Sequence, residues 1–461
     1  MLFTFALAFC ALAIQALSQS ILDATSPWPP GPGQDLVPQE PDAELAQILS
    51  QIDPNRIQAI IEKLVSFGTR HTLSNQTDPV RGIGAARDWI ASEMRTYAAA
   101  SNGRMVVTVP SYVQQPVSGL VPKATVISNI VATINGSVEP NRVYVVSGHY
   151  DSRVTNILNF MDDAPGADDD GSGVAVSMEL ARVMATHQPA ATIMFAVVAG
   201  EEQDLFGSNF MATTLKQQGA DVQGMLDNDI VGSSTADDGT IDTTDIRMFV
   251  SGLPPSNTAQ QNLNLAAIGG ENDSPAHQLG RFIAEVSQNS ATQMNVRTIF
   301  RPDRFLRGGD HESFLDQGFP AVRFTEPHEN FAHQHQDVRV SNGVQFGDLI
   351  EFVDFNFTAS VAKVNGAALW SLAQAPGTPK GLVIDTSTLT NNSTLRWTED
   401  PNAAGYEVVW RETDQPQWQK VISVGKVSSV TVQLSKDNVQ MGVRAVGSNG
   451  FKSPAAFPMP N

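Results

Sequence analysis

The chain has 461 residues, 41% of them hydrophobic, enough to bury a sizeable core and to build more than one domain. A formal net charge of -19 excludes nucleic acid and anionic membrane as expected partners and leaves peptide or protein substrates open. The single cysteine, Cys10, directly follows the first apolar run, so a metal site elsewhere has to be built from His, Asp and Glu.

In chain order, Leu2 to Phe9 is apolar and Ala16-Leu17-Ser18 is a small-x-small cleavage pattern. Residues 1–18 are therefore expected to be a secretory signal and the mature protein to be secreted and extracellular. That run is shorter than a bilayer span, and no later segment is long and apolar enough to be one. Triplets at Asn75, Asn135, Asn356 and Asn391/Asn392 fit glycosylation of a secreted chain. Residues 19–41, rich in Pro, Ser and Gln, read as an extended leader or propeptide-like arm with no core of its own.

Pro54 opens a helix pattern with Ile57, Ile60, Ile61 and Leu64 on one face and an end near Gly68. Arg81 to Tyr97 reads as a second helix. Strands are expected at Met105 to Val109, Val126 to Ile134, Val143 to Gly148, Ala191 to Val198, Ile246 to Ser251 and Phe319 to Phe324. Between them, Val174, Met178, Ala181 and Ala185 recur at helical spacing, Ser274-Pro275 caps a helix running to about Ser287, and Gln345 to Leu372 has a long helical pattern. Continuous apolar strands separated by helices describe an α/β domain over residues 42–375, its mostly parallel mixed sheet sandwiched by helices. A site is then expected at the carboxyl ends of the strands. From Pro376 the pattern changes to short alternating runs, which predicts a small antiparallel β-sandwich over residues 376–461. Trp397, the run Tyr406 to Arg411 and the run Val443 to Gly450 resemble a fibronectin type III module.

Polar residues gather where the site is expected. His149 and Asp151 follow one apolar strand, Glu201 and Glu202 the next, and Asp229 a third. Asp168-Asp169-Asp170 lies between glycines ahead of a helix, and His333 and Asp337 share a late loop. Each has an ordinary explanation taken singly, as a helix cap or a satisfied structural residue. Three adjacent carboxylates in a buried turn need a cation to offset them, and the joint pattern favours metal. Two zinc ions a few ångströms apart can share one carboxylate, each completed by a further carboxylate and an imidazole. A neighbouring glutamate can then move the proton of the attacking water.

The ordered segments Ser147-Gly148-His149-Tyr150-Asp151, Pro165 to Gly173, Gly200-Glu201-Glu202, Asn228 to Gly232 and His333 to Asp337 resemble the motifs of the co-catalytic zinc aminopeptidases typified by secreted bacterial leucyl aminopeptidase. Glutamate carboxypeptidase II is a more distant member of that group. The resemblance implies two Zn2+ per chain, with Asp169 bridging, His149 and Asp229 on one ion, and Glu202 and His333 on the other. It makes Glu201 the catalytic base and acid, has Asp151 orient His149, and implies a cis peptide bond after Asp169. His333, not His335 or His328, is chosen because it stands four residues before an aspartate; Asp229 is chosen over Asp227 because two apolar residues and a glycine follow it. Arg307 to His311 resembles a supporting segment of that family. The tyrosine that the bacterial enzymes place before it is missing, which leaves the oxyanion partner open. Phe67 to His71 reads as a structural turn in which an Arg or His is hydrogen-bonded nearby.

The implied activity is release of N-terminal residues from peptides. A carboxypeptidase, dipeptidase or glutaminyl cyclase of the same fold, or a non-catalytic secreted binding protein, are the alternatives.

Overall fold

The computed structural model describes residues 29–461, so the expected signal segment and Cys10 lie outside the described residues. Eight strands form the central sheet: β1 (Met105–Thr108), β2 (Ile130–Ile134), β3 (Glu139–His149), β4 (Ala191–Val198), β5 (Asp221–Asn228), β6 (Asp245–Val250), β7 (Asn295–Ile299) and β8 (Ala321–Thr325). They lie in the order β7-β6-β8-β5-β3-β4-β2-β1. The middle of the sheet, β8-β5-β3-β4, is parallel, while β6 against β8, β4 against β2 and β2 against β1 are antiparallel. This is the expected mixed sheet, with its parallel part in the centre.

The apolar run of β3 shows why the strands carry no polar alternation. Tyr144 and Val146 pack into the core on one face of the sheet, while Val143 and Val145 pack into the core on the other. Helices cover both faces: α1 (Pro54–Val65), α2 (Gly171–Met184), α3 (Pro275–Ser287) and α4 (Phe355–Gln374) pack together on one side. Phe206–Gln217 and His311–Asp316 pack against each other on the other side. No helix among the described residues is long and apolar enough to cross a membrane.

Two expected elements differ. The run Val126 to Ile134 is two strands, Thr125–Ser128 and Ile130–Ile134. Asn129 breaks it, because its buried side chain donates to the Gly207 carbonyl at 2.8 Å and accepts from the Ala199 amide at 3.3 Å. The last helix starts at Phe355, ten residues later than its periodicity suggests, where Asp354 accepts hydrogen bonds from the amides of Asn356 and Phe357. The residues ahead of it form a hairpin, Arg339–Ser341 with Val344–Phe346, and a short 3-10 turn.

Beyond Pro379 the chain forms two four-stranded sheets. One contains Lys380–Ile384, Ser393–Thr398, Ser429–Val432 and Met459–Pro460; the other contains Gly405–Glu412, Lys420–Gly425 and Val439–Val446. The fourth strand of the second sheet is Gln34–Asp35, from the proline-rich arm. That arm is anchored: Trp410 Nε1 donates to the Pro32 carbonyl at 2.8 Å, and Gln39 Oε1 accepts from the Lys452 amide at 3.1 Å. The sandwich is also joined to the central body. Arg411 pairs with Asp273 at 2.8 Å and Arg444 with Glu285 at 2.9 Å, and Asp273, Arg281 and Arg411 are all buried.

Candidate metal centre

The register of the parallel strands brings the candidate residues together. Gly148 and His149 at the end of β3 lie beside Val197 and Val198 at the end of β4, so Gly200-Glu201-Glu202 emerges next to His149. Asn228 ends β5 opposite Phe324 of β8, and Asp229 is the next residue. The acidic turn leads directly into α2, with Asp170 at its N-cap.

Each aspartate of the triplet has its own task. Asp170 caps α2 by accepting from the Gly173 amide at 3.0 Å, and its other oxygen accepts from the His149 amide at 2.9 Å. Asp168 accepts from the Gly232 amide at 2.7 Å. Both flanking carboxylates are thus used by backbone, leaving the side chain of Asp169 for the cavity. The backbone of the turn is fixed in return: the amides of Asp168 and Asp169 donate to the Asp348 carboxylate at 2.9 and 2.7 Å. Buried Arg70 donates to the carbonyls of Tyr150, Pro165 and Gly166 at 2.7, 2.5 and 2.8 Å, which is the structural role expected of its turn. The Asp169-Asp170 peptide bond is cis. Gly173 has to be glycine, since a Cβ there would collide with the Asn228 carbonyl oxygen.

Two groups of possible donors meet at Asp169. His149, Glu201 and Asp229 form one; Asp169, Glu202 and His335 form the other. Asp169 Oδ1 lies 3.3 Å from His149 Nε2, and its Oδ2 lies 2.8 Å from His335 Nε2. Glu202 Oε1 is 3.1 Å from His335 Nε2. On the other side, Glu201 Oε2 and Asp229 Oδ2 are each 3.9 Å from His149 Nε2.

One expected position differs: His333 is outside both groups, and His335 is the histidine of the second. The His333 ring is stacked flat on Phe352 of the 3-10 turn, with centroids 3.7 Å apart. His335 has a left-handed backbone, φ 52°, that turns the chain back toward Asp169. Spacing to Asp337 could not reveal this, since both histidines belong to one short loop. Asp227 holds the His311 amide at 3.1 Å and is not in either group, whereas Asp229 lines the cavity.

Asp151 acts mainly on the glutamate loop. Its carboxylate accepts from the amides of Gly200 at 2.8 Å, Glu201 at 3.3 Å and Glu202 at 3.2 Å, and from the Thr72 hydroxyl at 3.0 Å. Its carboxylate is 3.6 Å from His149 Nδ1, while its backbone carbonyl is nearer, at 3.1 Å. A proton on Nδ1 directed at that carbonyl leaves the lone pair of Nε2 on the side of Asp169.

Arg323 of β8 was not singled out by sequence reasoning. Its guanidinium lies 2.8 Å from Asp229 Oδ2 and 2.9 Å from Asp303 Oδ2. The signal was present: an arginine in the middle of a fully buried strand must be paired with something.

The electrostatics call for positive charge. Burial pulls the His149 imidazole down, but Glu201, Asp151 and Asp169 outweigh it and hold the ring well above the ordinary histidine range. At His335 burial is likewise overcome by Glu202 and Asp169, which raise it to about 10. Burial and the nearby Asp229 and Glu202 carboxylates push Glu201 well above the usual carboxylate range. Three buried atoms of the two groups, His149 Nε2, Asp169 Oδ2 and Glu202 Oε1, have no well-aligned hydrogen-bond partner. Oxygen and imidazole donors converging without hydrogen bonds suit a divalent metal of the zinc type, which satisfies all of them at once.

Above these groups is a cavity of about 280 Å³, lined also by Asp204, Leu306, Arg307 and Glu312.

Comparisons with known proteins agree with this chemistry. Residues 129–342 match peptidase family M28. A probable zinc metalloprotease of Pyrenophora teres f. teres is 57% identical over 459 residues, covering 98% of this chain and 94% of that protein. A probable zinc metalloprotease of Pyricularia oryzae is 56% identical over 448 residues, covering 95% of this chain and 89% of that protein. Among solved structures, the LapA aminopeptidase of Legionella pneumophila superimposes with a TM-score of 0.51 at 17% identity, over 74% of this chain and 78% of that one, a likeness of fold. With the cluster of donors at the strand ends and relatives alike along nearly the whole chain, the protein belongs to peptidase family M28, a family of zinc metallopeptidases.

Proposed function

We propose that the protein is a secreted aminopeptidase that holds two zinc ions, one between His149, Asp229 and Asp169 and the other between Asp169, Glu202 and His335. The observation that carries this reading is the position of Asp169, with one carboxylate oxygen toward His149 and the other toward His335. Zinc bound there supplies Lewis acidity, polarising the scissile carbonyl and making water a better nucleophile near neutral pH.

The chain does the rest. The Glu201 carboxylate lines the cavity and, among the described residues, accepts no backbone hydrogen bond, and its raised proton affinity suits a group that takes the proton of the attacking water and returns it to the leaving amine. Asp151 holds the Gly200-Glu201-Glu202 amides, so base and ligand keep a fixed separation. The cavity is small, and Asp204 and Glu312 in its lining bring negative charge beyond the carboxylates assigned to zinc, which favours a peptide end bearing an ammonium group. Residues 376–461 are read as a fibronectin type III-like module and residues 1–18 as a signal peptide. Asn75, Asn135, Asn356, Asn391 and Asn392 are all exposed, as glycan acceptors must be.

The test uses a peptide with a free amino terminus, its N-acetylated form and a C-terminally amidated form. Stepwise release of N-terminal residues from the free and amidated peptides, loss with a chelator and return with zinc are expected. Cleavage of the acetylated peptide at an equal rate contradicts the aminopeptidase reading.

A further inference from the structure

The cavity contains two arginines in opposite circumstances. Arg323 is committed to Asp229 and Asp303 and also donates to the Gly308 carbonyl. Arg307 lines the same cavity but, among the described residues, pairs with no carboxylate. Its Nη2 donates instead to the side-chain oxygen of Gln334 at 3.2 Å. A neutral acceptor orients a guanidinium without neutralising it, so Arg307 keeps its charge directed at the cavity.

Its placement is built into two loops. Gln334 is 5% exposed and immediately precedes His335, so the residue that orients Arg307 belongs to the same turn that delivers an imidazole to Asp169. On the other loop, Leu306 has φ 60°, a left-handed conformation costly for leucine, while its side chain is fully exposed. No burial of Leu306 rewards that conformation; it sets the direction of the next residue, Arg307. Gly308 and Gly309 follow, and a Cβ on Gly309 would press on Arg323 and Asp227.

Peptide hydrolysis creates a charge that needs such a group. The water oxygen bonds to the carbonyl carbon, the π pair moves onto the carbonyl oxygen, and the water proton passes to Glu201; collapse breaks the C–N bond and sends that proton to the amine. Among the described residues, no tyrosine, lysine, serine or threonine side chain lines the cavity to meet the oxyanion. Resting on the peptidase reading above, we infer that Arg307 is the catalytic residue that donates to the oxyanion of the tetrahedral intermediate, with Gln334 as its positioning residue.

The experiment compares the full zinc-loaded chain with Arg307→Gln and Arg307→Lys, measuring kcat, KM, zinc content, melting temperature and affinity for a phosphinate peptide, whose tetrahedral anion mimics the intermediate. Arg307→Gln is expected to lower kcat about 10²–10³-fold, the usual effect of losing one oxyanion donor, with KM, zinc content and melting temperature nearly unchanged. Phosphinate affinity should fall by a comparable factor, and Arg307→Lys should recover part of both. A loss confined to KM means that Arg307 binds a ground-state carboxylate or carbonyl and overturns the inference, as does a kcat within threefold of wild type or an unchanged phosphinate affinity. If Arg307→Gln does not fold, Arg307→Lys decides the matter through its split between kcat and KM. Inactive wild type, or activity retained by Glu201→Gln, overturns the peptidase mechanism and this inference together. Active wild type, inactive Glu201→Gln and fully active Arg307→Gln overturn this inference alone.

Discussion

His335 Nε2 stands 2.8 Å from Asp169 Oδ2, while His333 in the same turn lies flat on Phe352. The two histidines should therefore respond differently to removal. We predict that His335→Ala loses one metal equivalent and more than the ~10–100-fold of activity typical of an outer partner, whereas His333→Ala keeps its metal and loses little activity. Metal analysis beside initial rates checks this. Equal metal loss in both variants contradicts the assignment.

Asp151 has four hydrogen bonds to satisfy with two oxygens. In Asp151→Asn one oxygen becomes an amide that points a donor at other donors. We predict that activity falls about 10–100-fold through displacement of Glu201 and Glu202. The pH profile of kcat should shift as well, because Glu201 loses its fixed place among the carboxylates. A variant with unchanged rate and profile would show that the loop holds itself.

The junction with the sandwich is predicted to be part of the folded body and not a flexible tether. Asp273 accepts from both Arg281 and Arg411 in a buried setting. Asp273→Asn leaves two guanidinium groups short of a counter-charge, and removing one member of a buried ion pair costs about 3–5 kcal/mol. Urea denaturation of the full chain measures this. A midpoint equal to that of the wild type contradicts the claim that the two parts are coupled.

A pH effect is expected far from the metal centre. His277, in the first turn of α3, is buried edge-on against Phe300 with centroids 4.9 Å apart, and burial pulls its imidazole from 6.5 to about 4. Because the folded value lies below the unfolded one, the unfolded chain takes up the proton first. The contribution is whole above pH 6.5 and is lost as pH falls toward 4, up to about 3 kcal/mol. His277→Gln should abolish this part of the pH dependence of stability. A curve unchanged in shape would assign the effect elsewhere.

The sequence revealed the sheet because its central strands are buried on both faces and cannot alternate, and it placed the site because polar residues follow those strands directly. Tyr144 and Val143, packed on opposite sides of β3, carry that signal. Asn129 could not be read as a break, since its partners, Ala199 and Gly207, lie far along the chain. His335 was missed for a similar reason: the choice between two histidines in one turn depends on backbone direction and on Phe352, and spacing to Asp337 reports neither. Arg70 was legible as a structural residue, but the three carbonyls it binds were not.

The central claim is that Asp169 is shared between two metal sites, and anomalous diffraction at the zinc absorption edge from crystals of the full chain tests it most directly. The account predicts two peaks flanking the Asp169 carboxylate, one against His149 and Asp229 and the other against Glu202 and His335. A single peak, a peak at His333, or zinc bound away from Asp169 would contradict it.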